Sequence, residues 1–193
     1  EGGALLFQEE KYQEKAEILR EKGTDRSKFF RGQVDKYTWV DFGSSYLPSD
    51  LNAAYLYAQL EMAKEINDKL MSIWNLYNEA FAELEEKHVV ERPFVPDYAV
   101  HNAHMYYLKL KDLETRTAFI RYMKENGVQC VFHYIPLHTA TAGKKFGRFH
   151  GEDIYTTKES ERLVRLPMYY NLDLSQAQQV ADLVRKFPGY KEI

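Results

Sequence analysis

The chain has 193 residues, enough for one large domain or two small ones, and its 45% hydrophobic and 28% charged residues exclude wholesale disorder. With 26 Lys and Arg against 29 Asp and Glu, the net charge of -3 gives no global attraction to nucleic acid or to an anionic membrane. A single cysteine, Cys130, cannot close an intrachain disulfide, no apolar run approaches the roughly 20 residues of a membrane span, and no signal-peptide pattern is present, so a cytoplasmic setting is expected.

In chain order, Gly2-Gly3 leading into Ala4-Leu5-Leu6-Phe7 reads as a tight turn entering a buried strand, and with no initiating Met the chain is expected to begin in mid-domain. A half-buried helix is expected over Glu9 to Lys22, with Tyr12, Ala16 and Leu19 on one side and Gly23 as a left-handed cap. Thr24 to Pro48 shows no helical period and interleaves Arg26, Lys28, Arg31 and Lys36 with Phe29, Phe30, Tyr37 and Trp39. About 25 residues of irregular chain in a compact domain usually form a functional loop or an interface. Ser49 caps a long helix that carries Leu51, Tyr55, Met62, Ile66, Leu70, Ile73, Trp74, Tyr77, Phe81 and Leu84 at steps of three and four. Continuous to Lys87 it would run roughly 55 Å at 1.5 Å per residue, so it either kinks or joins two bodies. Pro93 and Pro96 then force an extended connection. The division expected from these signals is 1–88 and 89–193.

Beyond the prolines, Ala103 to Leu110 and Val128 to Phe132 alternate as strands, flanking a helix capped by Asp112 and closed by Asn126-Gly127. A loop over His133 to Tyr155 precedes a short helix opened by Thr156 with Glu159, and a last helix opens with Ser175 and Gln178, both in capping-box spacing.

Chemistry is sparse on this reading. No Gly-x-Ser-x-Gly elbow, Walker sequence or Gly-x-Gly-x-x-Gly is present. His104, His133, His138 and His150, with Glu152 and Asp153, could supply metal ligands, but their spacing fits no zinc motif. The run His133-Tyr134-Ile135-Pro136-Leu137-His138 follows a strand directly, which places its polar groups on rigid scaffolding at a strand end. Gly43-Ser44-Ser45-Tyr46, just before a helix, offers donors suited to a phosphate, although such a turn is more often a simple cap.

Glu1-Gly2-Gly3-Ala4-Leu5, the segment Asp41 to Leu60, His101 to Tyr106, His133 to His138 and Ser160 to Met168 resemble, in order, the landmarks of DegT/DnrJ/StrS-type sugar aminotransferases. Arg31 to Asp41, Ser44 to Asp50 and Phe149 to Ser160 are similar, more narrowly, to WecE/RffA-type transaminases, which make dTDP-4-amino-4,6-dideoxygalactose. The resemblance implies an α/β PLP-dependent transferase of aspartate-aminotransferase-like fold type I. The chain would be the C-terminal half: the end of the large domain plus a small α+β C-terminal domain. It implies pyridoxal 5'-phosphate as cofactor, a homodimer with shared active sites, and glutamate and a 4-keto dTDP-sugar as substrates. Without a nucleic-acid or membrane partner, the product would serve cell-surface polysaccharide or lipopolysaccharide biosynthesis.

By the same resemblance no catalytic residue lies in this chain, the Schiff-base lysine being upstream. Ser45 is expected at the cofactor phosphate of the partner subunit, in a place where many members carry Asn, and Tyr46-Leu47 stands where they have aromatic-Arg. His133 and Tyr134 are expected to face the substrate, with Arg26, Arg31 and Lys36 as charge-assisted contacts to the diphosphate. For Tyr134 core packing, and for the three cations a salt-bridge role, stand as alternatives. A PLP-dependent dehydratase of the same fold and a non-catalytic binding or dimerisation fragment are the competing functions.

Overall fold

The computed structural model describes residues 2–192, so Glu1, the first residue of the expected turn, lies outside the described residues. The chain groups into two compact units, 1–62 and 63–193. This grouping differs from the expected division at residue 88, because the apolar face of the helix before that point belongs to the core of the second unit.

In the first unit, a 3-10 turn over Glu10–Tyr12 precedes α1 (Gln13–Arg20), which is shorter than expected and has no buried residue. Gly23 ends it as expected, at φ +75°, with its N–H donating to the Ile18 carbonyl at 2.8 Å. This glycine also meets a second constraint. A Cβ there would stand 1.8 Å from the Asp41 carbonyl oxygen, and one on Gly43 would stand 2.1 Å from the Gly23 nitrogen. The two backbones touch, and only glycine lets them.

Two expectations for this unit are corrected. Residues 4–7 form no strand and are exposed, Leu6 at 90%, since among the described residues no strand lies alongside to pair with them. The stretch expected to be irregular contains a short helix, α2 (Arg26–Phe30), whose Phe29 packs edge to face on Phe30 and Tyr37. Isolated bridges Glu21↔Ser45 and Thr24↔Trp39 then fold the rest of the loop back onto the end of α1.

The long helix is three helices: α3 (Asp50–Glu61), α4 (Ala63–Ala80) and α5 (Ala82–Glu86). Ser49 caps α3 as expected, accepting from the Asn52 N–H at 3.3 Å, and Asp50 lies in the first turn where the helix dipole favours a carboxylate. At Met62 the N–H turns to the Gln59 carbonyl, an i to i+3 bond that interrupts the ladder. Helix α3 is apolar around much of its circumference yet buries nothing, with Leu51, Tyr55, Tyr57 and Leu60 all exposed. Helix α4 instead directs Ile73, Trp74 and Tyr77 inward, and Phe81 follows on the same side.

That face helps to close the second unit's core. Strands β1 (Tyr107–Lys109), β2 (Val131–Phe132) and β3 (Leu163–Arg165) form an antiparallel sheet in the order β1-β3-β2. The register pairs Leu108 with Val164 and Tyr107 with Arg165. Tyr106, Leu108 and Leu110 are fully buried, as their alternation predicts. Helices α6 (Leu113–Glu125) and α9 (Leu174–Arg185) contribute Phe119, Met123, Val180 and Val184 to the same core. Asp112 caps α6, accepting from the Thr115 N–H at 2.8 Å, and Gly127 follows at φ +78°.

Here too there are corrections. Val131 and Phe132 are exposed rather than buried: β2 is one of the sheet's two edge strands and pairs with β3 over these two residues alone. The central strand β3 is not foreseen, and it follows α8 (Thr156–Arg162) without an intervening turn. Thr156 makes no cap. The box expected from Ser175 and Gln178 is made two residues earlier by Asp173 and Gln176, and Ser175 donates to Asp173 at 2.7 Å. A further short helix, α7 (Thr141–Phe146), lies within the loop after β2. Among the described residues no helix is long and apolar enough to cross a membrane.

Candidate functional site

The site residues expected from sequence fall into two groups, one in each unit. In the first unit, Ser45 sits on a loop fixed by its backbone. The Lys22 N–H donates to the Ser44 carbonyl at 3.0 Å and the Tyr46 N–H to the Arg20 carbonyl at 3.2 Å, so Ser45 is held beside the end of α1 while its side chain stays exposed. Tyr46 lines a mainly apolar groove of about 860 Å³ together with Leu5, Phe7, Ala16 and Leu19. Lys15, on α1, pairs with Asp41 and anchors the same loop.

The cations of this unit behave differently from one another. Arg31 is spoken for: its two terminal nitrogens meet both carboxylate oxygens of Glu17 at 2.9 and 2.8 Å. The Arg31 hydrogen bond holds the Glu17 carboxyl below the usual carboxylate range. The pair makes Arg31 a clamp between α1 and the end of α2, which is the salt-bridge role weighed for it beside the diphosphate contact. Arg26 stands over the rings of Phe30 and Tyr37, 5.1 and 5.8 Å from their centroids, and is exposed. Lys36 is exposed, and among the described residues no carboxylate pairs with it.

In the second unit the loop after β2 carries His133, Tyr134 and His138. Tyr134 is 70% exposed in this chain, and its backbone takes φ +50°, a conformation that costs a non-glycine residue about 1 kcal/mol or more. Two contacts hold it there. Ser160 Oγ, on α8, donates to the Tyr134 carbonyl at 2.6 Å, and His133 stacks edge to face on its ring at 5.1 Å. The Nδ1 of His133 is buried with no hydrogen-bond partner among the described residues. A buried polar atom of this kind has hydrogen-bonding capacity left for a water or another group.

His138 closes the other end of the loop. Its Nε2 lies 2.6 Å from Asp153 Oδ2, its ring packs 4.4 Å from Phe149, and Thr157 on α8 binds the same carboxylate through both hydroxyl and N–H. Thr157 first, and His138 after it, hold the Asp153 carboxyl below the usual range. His138 and Asp153 therefore form a clasp across the loop. Among the described residues no group of three or more metal-ligating side chains is assembled.

The residues present bear on how a pyridoxal phosphate would be held. They fit a peripheral share of it: Ser45 offers an exposed hydroxyl on a rigid loop, suited to a phosphate oxygen, and the unpartnered His133 nitrogen suits a substrate group. Arg165, Ser160 and Thr157 were not singled out by the sequence reading. Their signal lay in the two-residue alternation of Leu163-Val164-Arg165 and in the hydroxyls on the turn of α8 that faces the loop, which periodicity alone does not separate from ordinary surface.

Comparison with solved structures places this architecture in the α/β, aspartate-aminotransferase-like class. The chain superposes on the aminotransferase TlmJ from Streptoalloteichus hindustanus with a TM-score of 0.76 at 21% identity, over 97% of this chain and 47% of that one. On the putative sugar aminotransferase Spr1654 from Streptococcus pneumoniae, in its PMP-form, the TM-score is 0.73 at 18% identity, over 96% and 46%. The sequence profile of the DegT/DnrJ/EryC1/StrS aminotransferase family matches residues 1–185, and the chain belongs to that family. Its aminotransferases are PLP-dependent, and Spr1654 is also known in a PLP-form. An uncharacterised protein of Methanocaldococcus jannaschii, MJ1066, is 30% identical over 200 residues, covering 96% of this chain and 49% of that protein. The chain spans about half the length of these relatives.

Proposed function

We propose that the protein carrying this chain is a PLP-dependent sugar aminotransferase that moves an amino group from glutamate to the 4-keto carbon of a dTDP-4-keto-6-deoxyhexose. The product would be a dTDP-4-amino-4,6-dideoxyhexose of galactose configuration, made in the cytoplasm for cell-surface polysaccharide or lipopolysaccharide. The observation that carries the reading is the family match across residues 1–185. The WecE/RffA-like words over Arg31 to Asp41 and Phe149 to Ser160 support the particular sugar.

On this reading the chain is the C-terminal half of a homodimeric enzyme, divided at residue 88 into the end of a large domain and a small one. Pyridoxal phosphate, when bound, supplies an electron sink for the amino donor's α-carbon. This chain's residues bind and orient. Ser45 donates its hydroxyl to the cofactor phosphate across the dimer, Arg26 and Lys36 offer charge to the nucleotide's diphosphate, and Tyr134 presents its exposed ring to the sugar. His133 packs on the Tyr134 ring and positions it toward the sugar. The proton-shuttling lysine comes from residues outside this chain.

The test is to supply the full-length protein with glutamate, pyridoxal phosphate and dTDP-4-keto-6-deoxyglucose. Formation of the amino sugar and 2-oxoglutarate supports the reading. Loss of the sugar hydroxyl without nitrogen incorporation would mark a dehydratase instead, and no conversion would leave a binding role.

A further inference from the structure

Helix α8 passes into strand β3 with no turn between them, so no glycine cap closes it and its last carbonyls need donors from elsewhere. The Leu163 N–H meets the Glu159 carbonyl, and the Leu110 N–H, just after β1, meets that of Arg162 at 3.0 Å. The Ser160 carbonyl is taken by a side chain: Arg116 Nη1, from the first turn of α6, donates to it at 2.7 Å. A cation suits the negative end of a helix.

This arginine makes a second contact that an end cap does not need. Its guanidinium lies 5.5 Å from the centroid of the Phe132 ring, on β2 directly before His133 and Tyr134. The residue it caps, Ser160, sends its hydroxyl to the Tyr134 carbonyl at 2.6 Å. The contacts therefore close a ring, from Arg116 to Ser160, from Ser160 to Tyr134, back along the chain to Phe132, and from Phe132 to Arg116. Tyr134 stands in that ring at φ +50°, a conformation that persists only where its surroundings hold it. Arg116 meets a cost of its own, since its Nε is buried without a hydrogen-bond partner and burial lowers the pKa of the group. An exposed cap would incur no such cost, and the half-buried position is what lets one side chain reach both the helix end and the strand end.

We propose that Arg116 is a positioning residue for the sugar site: from α6 it braces the strand end before Tyr134 and, through Ser160, the Tyr134 carbonyl, and so fixes where the tyrosine ring stands. What Tyr134 faces rests on the aminotransferase reading above, and the brace itself does not.

Kinetics of the full-length protein test this with Arg116→Met, Ser160→Ala and the double variant. Each single change should raise the KM for dTDP-4-keto-6-deoxyglucose roughly fivefold, the weight of one hydrogen bond, and leave kcat within about twofold. The half-reaction with glutamate alone, followed by the absorbance of the cofactor, should also stay within about twofold, whereas a general loss of folded enzyme lowers both reactions and moves no KM. Because the two residues act through one ring, their effects should not multiply, and the double variant should sit near the same roughly fivefold value. A double variant at the product of the single effects, or an unchanged KM in Arg116→Met, overturns the proposal. Arg116→Lys keeps a donor for the carbonyl without a plane for the ring. It should fall between wild type and Arg116→Met, and it carries the same cycle if Arg116→Met does not fold. Amide hydrogen exchange over residues 133–138 separates the brace from the reaction. Faster exchange in Arg116→Met with no transfer to the sugar in wild type supports the brace and removes the aminotransferase reading, and exchange equal to wild type overturns the brace whether or not the sugar is aminated.

Discussion

Ser160 Oγ donates a 2.6 Å hydrogen bond to the carbonyl oxygen of Tyr134, joining the first residues after the edge strand to helix α8. Tyr134 has a positive φ, so this bond helps to keep a conformation that its own side chain disfavours. Ser160→Ala is expected to cost about 1 kcal/mol, the net worth of one such bond, and to speed amide hydrogen exchange over residues 133–138. Equal exchange in Ser160→Ala and wild type would show that the bond does not hold the loop.

A second prediction concerns the loop that carries Ser45. Gly23→Ala places a Cβ 1.8 Å from the Asp41 carbonyl oxygen at a residue with φ +75°, so the backbone contact must open. The cost should exceed about 1 kcal/mol and lower the melting temperature of the full-length protein. If Ser45 serves the cofactor phosphate, the variant also loses pyridoxal phosphate faster on dialysis. A melting temperature unchanged by the substitution would contradict the seating described.

Much of this was legible in the sequence where a local signal and the tertiary contact agree. Ser49, Asp112 and Gly127 end or begin helices as their residue types dictate, and the alternation of Tyr106, Leu108 and Leu110 finds the buried face of β1. Other elements depend on partners far away in the chain. Leu163-Val164-Arg165 becomes the central strand only because β1 and β2 arrive on either side, and three residues carry too little period to announce it. The capping box slipped from Ser175 to Asp173 because both have the right spacing, and the carboxylate, two residues earlier, takes the Gln176 N–H while Ser175 donates to it. For Arg31 the sequence leaves a diphosphate contact and a salt bridge both open, and nothing short of the fold reveals that Glu17, fourteen residues earlier, meets its fork.

The sheet edge makes a pH-dependent prediction. Lys109 on β1 forms an ion pair with Glu159 at 2.7 Å, which holds the Glu159 carboxyl below its ordinary value of 4.5 and the Lys109 ammonium above its ordinary 10.5. A lowered carboxylate stabilises the fold fully above its unfolded value, and that contribution fades as pH falls through the folded value. The raised lysine contributes fully below its unfolded value and loses its contribution as pH rises through the folded one. Lys109→Met should therefore be less stable than wild type by at most about 1 kcal/mol, both partners being partly solvated. The difference should hold through neutral pH and shrink in acid below the ordinary glutamate value. A difference that does not change with acidification would show that the lost lysine stem, and not its charge, is responsible.

The His138 and Asp153 clasp gives a local counterpart. Asp153→Asn removes the charge that both His138 and Thr157 address, so residues 147–155 should become more sensitive to limited proteolysis while the core melts as before. In wild type the same sensitivity should appear on acidification through the depressed Asp153 value, since protonation removes the same charge. A proteolysis pattern identical in variant and wild type at neutral pH would show that Phe149 packing alone closes the loop.

The central claim is amino transfer to a nucleotide sugar. The direct measurement supplies the full-length protein and pyridoxal phosphate with nitrogen-15-labelled glutamate and dTDP-4-keto-6-deoxyglucose, and follows the sugar by mass spectrometry. The account predicts that the label appears in a dTDP-4-amino-4,6-dideoxyhexose together with an equal amount of 2-oxoglutarate. A sugar that is converted without taking up label, or label that never leaves glutamate, would contradict it.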